Sequence, residues 1–133
     1  MVPVDLAHQG DLEKALQCSA DLAKHYGAEV VYVGVTSSTP CATAHTPKEY
    51  QTKLDAFVAE QADANGIKAS ADMVISHDPS ADVDDKLMDA ITETGADLVV
   101  MASHMPNVMD CIWPSNGGKI ADHSKCTVMV VRG

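Results

Sequence analysis

Apolar residues along this chain change spacing several times, and each change marks an element. Leu98 to Ala102 (LVVMA) and Thr127 to Val131 (TVMVV) are nearly continuous in Val, Leu and Met, the pattern of strands buried on both faces of a parallel sheet. Between them lie a polar loop from Ser103 to Asp110 and a segment, Ser115 to His123, that can form one or two helical turns. Glu29 to Val35 (EVVYVGV) is a β-branched run and reads as another strand. Val2-Pro3-Val4-Asp5 has the look of a strand end, with proline where the ladder is closing. Ile67 to Ile75 alternates loosely, and Lys68, Ser70 and Asp72 share one side, which places this strand near a sheet edge.

The intervening segments take a helical period. From about Asp11 to Tyr26, Leu12, Leu16, Ala20 and Ala23 recur near helical spacing, and Gly27 supplies a left-handed stop. After a Ser, Thr and Pro loop (Thr36 to His45), Thr46 as N-cap, Pro47 in the first turn and Glu49 make a capping box. Tyr50, Leu54, Phe57, Val58 and Gln61 then form one buried face, ended by Asn65-Gly66. A third helix follows Ser80 as N-cap, with Val83, Leu87, Ala90, Ile91 and Thr94 on one face and Gly95 as its stop. Strands alternating with helices in this way require right-handed crossovers and a parallel α/β sheet.

Composition narrows the function. A chain of 133 residues reads as one domain, able to bury roughly two-thirds of its unfolded surface. No apolar run approaches the roughly 18 residues of a membrane span, and the start lacks a signal-peptide layout, so a cytoplasmic protein is expected. Nine basic against 19 acidic residues give a formal net charge of -10, which argues against nucleic acid and anionic membranes as partners. Cys18, Cys41, Cys111 and Cys126 form no C-x-x-C pair and read as free thiols of a reducing compartment. Asp82, Asp84 and Asp85 read as a solvated helix start rather than a metal cage, because the spacing gives no convergent ligands. Cys111, His123 and Cys126 lack a fourth zinc ligand. Trp113, beside Ile112, reads as core or interface.

The order of Asp97, an apolar strand, Ser103-His104, a loop, Ser115-Asn116, a short helix, then His123, Cys126, Val128, Val130 and Val131 resembles the C-terminal signature of the universal stress protein A superfamily. Ala-Ser-His-x-Pro at Ala102 to Pro106, followed by Ser-Asn, is most similar to the F and G types of that family. The resemblance covers the whole chain. It implies a three-layer α/β sandwich, Rossmann-like and of the adenine nucleotide alpha hydrolase kind, with a five-stranded parallel sheet in the order 3-2-1-4-5. It also implies an adenine nucleotide, ATP with or without Mg²⁺, as ligand of a dimeric stress-response regulator that is not an enzyme. Asp5 would face the adenine and ribose, with Pro3 and Val4 beside it in the nucleotide site, and the backbone of Val35 would meet the adenine edge. Met101, Ala102, His104, Met105, Pro114, Ser115, Asn116 and Gly117 would line the phosphate side. A homodimer would form through Thr127 to Val131. Family members usually carry several more residues before the first strand aspartate, so either the first strand is short at its start or the sequence is truncated there.

The residues themselves leave alternatives. Asp5 also reads as a loop-start aspartate capping local amides, and His104 as an imidazole bonding loop carbonyls, since no nucleophile and acid accompany it. Nucleotide-binding members show G-x-x-G, nine residues, then G-[ST]; here Ala102, Met105 and Pro114 stand at the glycine positions. Pro114 lacks an N–H, Met105 adds bulk, and no Lys or Arg lies between Lys86 and Lys119. Ser115 and the amides of Asn116 and Gly117 keep an anion nest. Two outcomes follow: nucleotide binding with weak phosphate contacts, or an interaction module that has lost the nucleotide. Phosphoryl transfer is disfavoured because no basic finger, carboxylate pair or Walker lysine can be assigned.

Overall fold

The structure is a computed structural model that describes residues 1–41, 43–103 and 117–132. Strand β1 (Val2–Val4) is followed by a 3-10 helix (Leu6–Leu12), α1 (Glu13–Tyr26), β2 (Val30–Ser37), α2 (Pro47–Asn65) and β3 (Ala69–Ser76). The chain continues through α3 (Pro79–Thr94), β4 (Leu98–Ala102), α4 (Gly117–His123) and β5 (Thr127–Val131). All strand pairs are parallel, and the fold is the expected α/β one.

The expected single sheet is instead two hydrogen-bonded ladders, β1-β2-β3 and β4-β5. Three-residue β1 packs beside β4, and hydrogen bonds across to β4 come from Met1 just before it, whose carbonyl accepts from Val100 N–H at 3.0 Å and whose amine donates to the Leu98 carbonyl at 2.8 Å. The spatial sequence across both ladders is therefore 3-2-1-4-5, with the seam between β1 and β4.

Side-chain alternation divides the core between two faces. Val2, Val4, Tyr32 and Val100 pack with Leu16 of α1 and with Leu54, Phe57 and Val58 of α2. On the other face Val33, Val35, Val99 and Met101 meet Val83, Leu87 and Ile91 of α3 and Ile120 of α4. Burying each such aliphatic side chain contributes about 1.5–3 kcal/mol. β4, sandwiched by both layers, has Val99, Val100 and Met101 at most 4% exposed. β5 departs from the expectation that both runs are doubly buried: it pairs only with β4, and Met129 and Val130 are 38% and 42% exposed. β3 is an edge as expected, paired only with β2.

Helix ends follow local chemistry. Gly27, Gly66 and Gly95 all take positive φ, and the next residue's N–H reaches back five positions, as in Ala28 to the Ala23 carbonyl at 2.9 Å. The α3 start differs from the sequence reading: the helix begins at Pro79 after Asp78, so proline rather than Ser80 opens it. At α2 the Thr46 hydroxyl accepts from Glu49 N–H at 3.1 Å, while the Glu49 carboxylate takes the N–H of His45, one residue before the cap. That bond holds the Glu49 carboxyl below its usual range. Thr46→Ala is expected to lower stability by about 1 kcal/mol in urea unfolding, with the slope unchanged.

Candidate functional site at the strand ends

In open α/β sheets a ligand cleft forms beyond the carboxyl ends of strands where the strand order reverses. Here that point is the seam, with β1 leading to α1 on one face and β4 leading toward α4 on the other. Pro3 and Val4 pair with Val33 and Gly34, and the next residue on each strand is Asp5 and Val35. Met101 and Ala102 end β4 on the far side of the seam. The structure thus gathers six of the expected site residues, Pro3, Val4, Asp5, Val35, Met101 and Ala102, at one edge of the sheet, and Gly117 opens α4. His104, Met105, Pro114, Ser115 and Asn116 lie outside the described residues, as do Cys111 and Trp113.

Of the gathered side chains, Val4, Val35 and Met101 are buried at 4% exposure or less, so they are floor rather than ligand-facing polar groups. Asp5 carries the chemistry. One carboxylate oxygen accepts from Ala7 N–H at 3.0 Å and the other sits 2.8 Å from His8 Nδ1. Asp5 thereby caps the 3-10 helix, inside which His8 takes a non-helical φ of -131° and ψ of 47°. The local-capping geometry is realised, and it engages both oxygens with the chain itself.

Near this pair, Tyr50 of α2 brings its hydroxyl and one ring edge against the β2 backbone at Gly34. A Cβ placed on Gly34 would stand 2.5 Å from the Tyr50 hydroxyl oxygen and 2.8 Å from ring carbon Cε1, so only glycine lets the ring settle there. Burial, with Asp5 and then Cys41 adding negative potential, pushes the Tyr50 phenol well above its ordinary value. The neutral form is favoured by the fold, so Tyr50's contribution is full below the unfolded value of about 10 and is lost as pH rises above it. Tyr50→Phe is expected to flatten the alkaline fall in melting temperature above about pH 10. A smaller slope remains from Tyr32, whose phenol is also raised by burial.

A groove of about 550 Å³ opens between the 3-10 helix and α2, lined by Leu6, Ala7, Phe57, Thr43, Lys53 and Glu60. Lys53 is tied down there by the Thr43 carbonyl and by Glu49 at 3.4 Å. The acidic start of α3 is solvated only in part, Asp85 being exposed as expected from sequence while Asp82 and Asp84 are drawn into the structure. Asp82 accepts from the buried Ser76 hydroxyl, and Asp84, 7% exposed, pairs with Lys119 of α4 at 3.1 Å. α4 packing over α3 desolvates Asp84. A signal existed, because Asp84, Leu87 and Ile91 share helical spacing. Among the described residues no group of three His, Cys, Asp or Glu side chains is placed to hold a metal, and no helix is long and apolar enough to cross a membrane. Cys18, Cys41 and Cys126 are free thiols.

Solved structures share this architecture. A universal stress protein from Archaeoglobus fulgidus aligns with a TM-score of 0.70 at 15% identity, over 97% of this chain and 94% of that one. The protein of the same organism in complex with dAMP gives 0.64 at 15% identity, over 97% and 93%. A universal stress protein in complex with cAMP gives 0.66 at 19% identity, over 98% and 94%. These likenesses establish the fold. The model of the universal stress protein family matches residues 1–132, nearly the entire sequence, and the chain therefore belongs to that family.

Proposed function

We propose that this protein binds an adenine nucleotide across the seam between β1 and β4 and acts as a cytoplasmic, dimeric stress-response regulator without turnover of its own. The observation that carries the reading is the convergence of Asp5, Val35, Met101 and Ala102 at the one point where the strand order reverses, in a chain of the universal stress protein family. Relatives complexed with dAMP and cAMP support an adenine nucleotide as the ligand class. Val35 offers backbone hydrogen bonds to the adenine edge, and Asp5 faces the ribose through lone pairs that its bonds to Ala7 and His8 leave over. The phosphates, ATP with Mg²⁺ included, meet a loop without glycine and are held weakly. Dimerisation runs through β5, whose open edge and exposed Met129 and Val130 suit pairing with a second copy.

One observation favours the second reading, an interaction module without nucleotide: the Asp5 carboxylate is already engaged by Ala7 and His8. Thermal-shift and calorimetric titration with AMP, ADP and ATP, with and without Mg²⁺, separates the two. Saturable binding raises the melting midpoint by mass action, by about 2.7 kcal/mol of stability at a hundred times Kd. No shift at millimolar nucleotide would leave the interaction module standing.

A further inference from the structure

His8 folds back on Asp5, the first residue beyond β1. Its backbone N–H donates to the Asp5 carbonyl at 3.1 Å, and its imidazole Nδ1 lies 2.8 Å from Asp5 Oδ2. A carboxylate only accepts, so Nδ1 carries the proton of this bond. Two partners thus hold the carboxylate, and they differ in freedom. Ala7 N–H, 3.0 Å from Oδ1, belongs to the backbone of the 3-10 helix that Asp5 caps and cannot leave without undoing that helix start. The imidazole hangs from a side chain 32% exposed, and Asp5 is its only hydrogen-bond partner among the described residues. Rotation about its side-chain bonds is enough to release it. The Asp5 side chain is itself 15% exposed, so the imidazole covers an oxygen that has little other access to a ligand.

We propose that His8 is a specificity-determining residue that competes with the ribose for Asp5: its imidazole must swing off Oδ2 before a ligand can use both carboxylate oxygens. This rests on the nucleotide reading above and adds an internal competitor to it. The exchange replaces one hydrogen bond to the carboxylate by another, so the ribose adds little to affinity in the wild type. Ligands that reach Asp5 see only the fraction of molecules whose imidazole has left, and their apparent affinity falls by that fraction. A ligand that lacks ribose does not engage Asp5 and escapes this cost.

The test is calorimetry with adenine, adenosine and AMP on the wild type, His8→Ala, Asp5→Ala and the double variant. His8→Ala should tighten adenosine and AMP by about tenfold, the worth of one hydrogen bond to a charged group, and leave adenine unchanged. In the Asp5→Ala background the same substitution should have no effect on any of the three. A weaker grip on adenosine in His8→Ala would overturn the proposal, because the imidazole would then be steadying Asp5 for the ligand. An equal gain for adenine would overturn it as well, since the effect would not pass through the ribose. A second readout needs no variant: in nitrogen NMR of the wild type, the hydrogen-bonded Nδ1–H of His8 should give way to the signal of a free imidazole on saturation with adenosine, and persist with adenine. An Nδ1–H that persists with adenosine defeats this proposal only. Absence of binding by all three ligands in every protein defeats the nucleotide reading with it.

Discussion

Gly34→Ala is expected to cost about 2–3 kcal/mol of stability, a large loss for one added methyl group. The methyl would enter the space held by the Tyr50 hydroxyl and ring edge, at 2.5–3.0 Å. Tyr50 is 3% exposed and cannot swing into solvent without opening the α2 side of the core. The strain must therefore move α2 away from β2, next to Asp5. Urea unfolding should show a lower midpoint with an unchanged slope. Tyr50→Leu in the Gly34→Ala background should recover part of the loss, since the two positions are in contact and their effects do not add. Equal losses in Gly34→Ala with and without Tyr50→Leu would mean that the clash lies elsewhere.

Leu87→Ala should cost about 3–4 kcal/mol by opening a cavity on the opposite face. Leu87 is fully buried and shares a cluster with Val33, Val99, Met101 and Ile120. Its loss loosens α3 against β2 and removes support from Met101 at the end of β4. The exposed Glu93, further along the same helix, provides the control: Glu93→Ala should stay within about 0.5 kcal/mol. Comparable losses at both positions would show that α3 is held by something other than its apolar stripe.

Much of the architecture was legible because period and punctuation agree. Of the face read as buried, Tyr50, Leu54, Phe57 and Val58 are buried and Gln61 is half-buried, and the three stop glycines close their helices as expected. What escaped the sequence depends on neighbours distant along the chain. TVMVV and LVVMA are alike in composition, yet β4 lies between β5 and the β1 end at Met1 while β5 has only β4 beside it, so the exposure of Met129 and Val130 follows from topology. Asp84 reads as polar until α4 is laid across it. The 3-10 helix hides in LAHQGDL, whose apolar spacing matches no period and whose start is set by the Asp5 cap. At the site, the strand-end residues were readable from their position, whereas the engagement of Asp5 by His8 required coordinates. The loop residues His104, Met105, Pro114, Ser115 and Asn116 lie outside what the structure describes.

The helix-to-strand returns also divide the molecule by tolerance to change. Gly27 to Glu29, Gly66 to Lys68, Gly95 to Asp97 and Ser124 to Cys126 each span three residues at the amino-terminal edge of the strands. Three of the four turn on a left-handed glycine. At the opposite edge the strand-to-helix connections range from residues 77–78 through 38–46 to 103–116. One rim is built to a single gauge, and an insertion there would shift a strand's register and turn its side chains to the wrong layer. The other rim is free to vary in length without disturbing the frame. Ligand preference can therefore be rewritten from loop to loop while the scaffold stays fixed, and engineered insertions belong between Ser38 and Thr46.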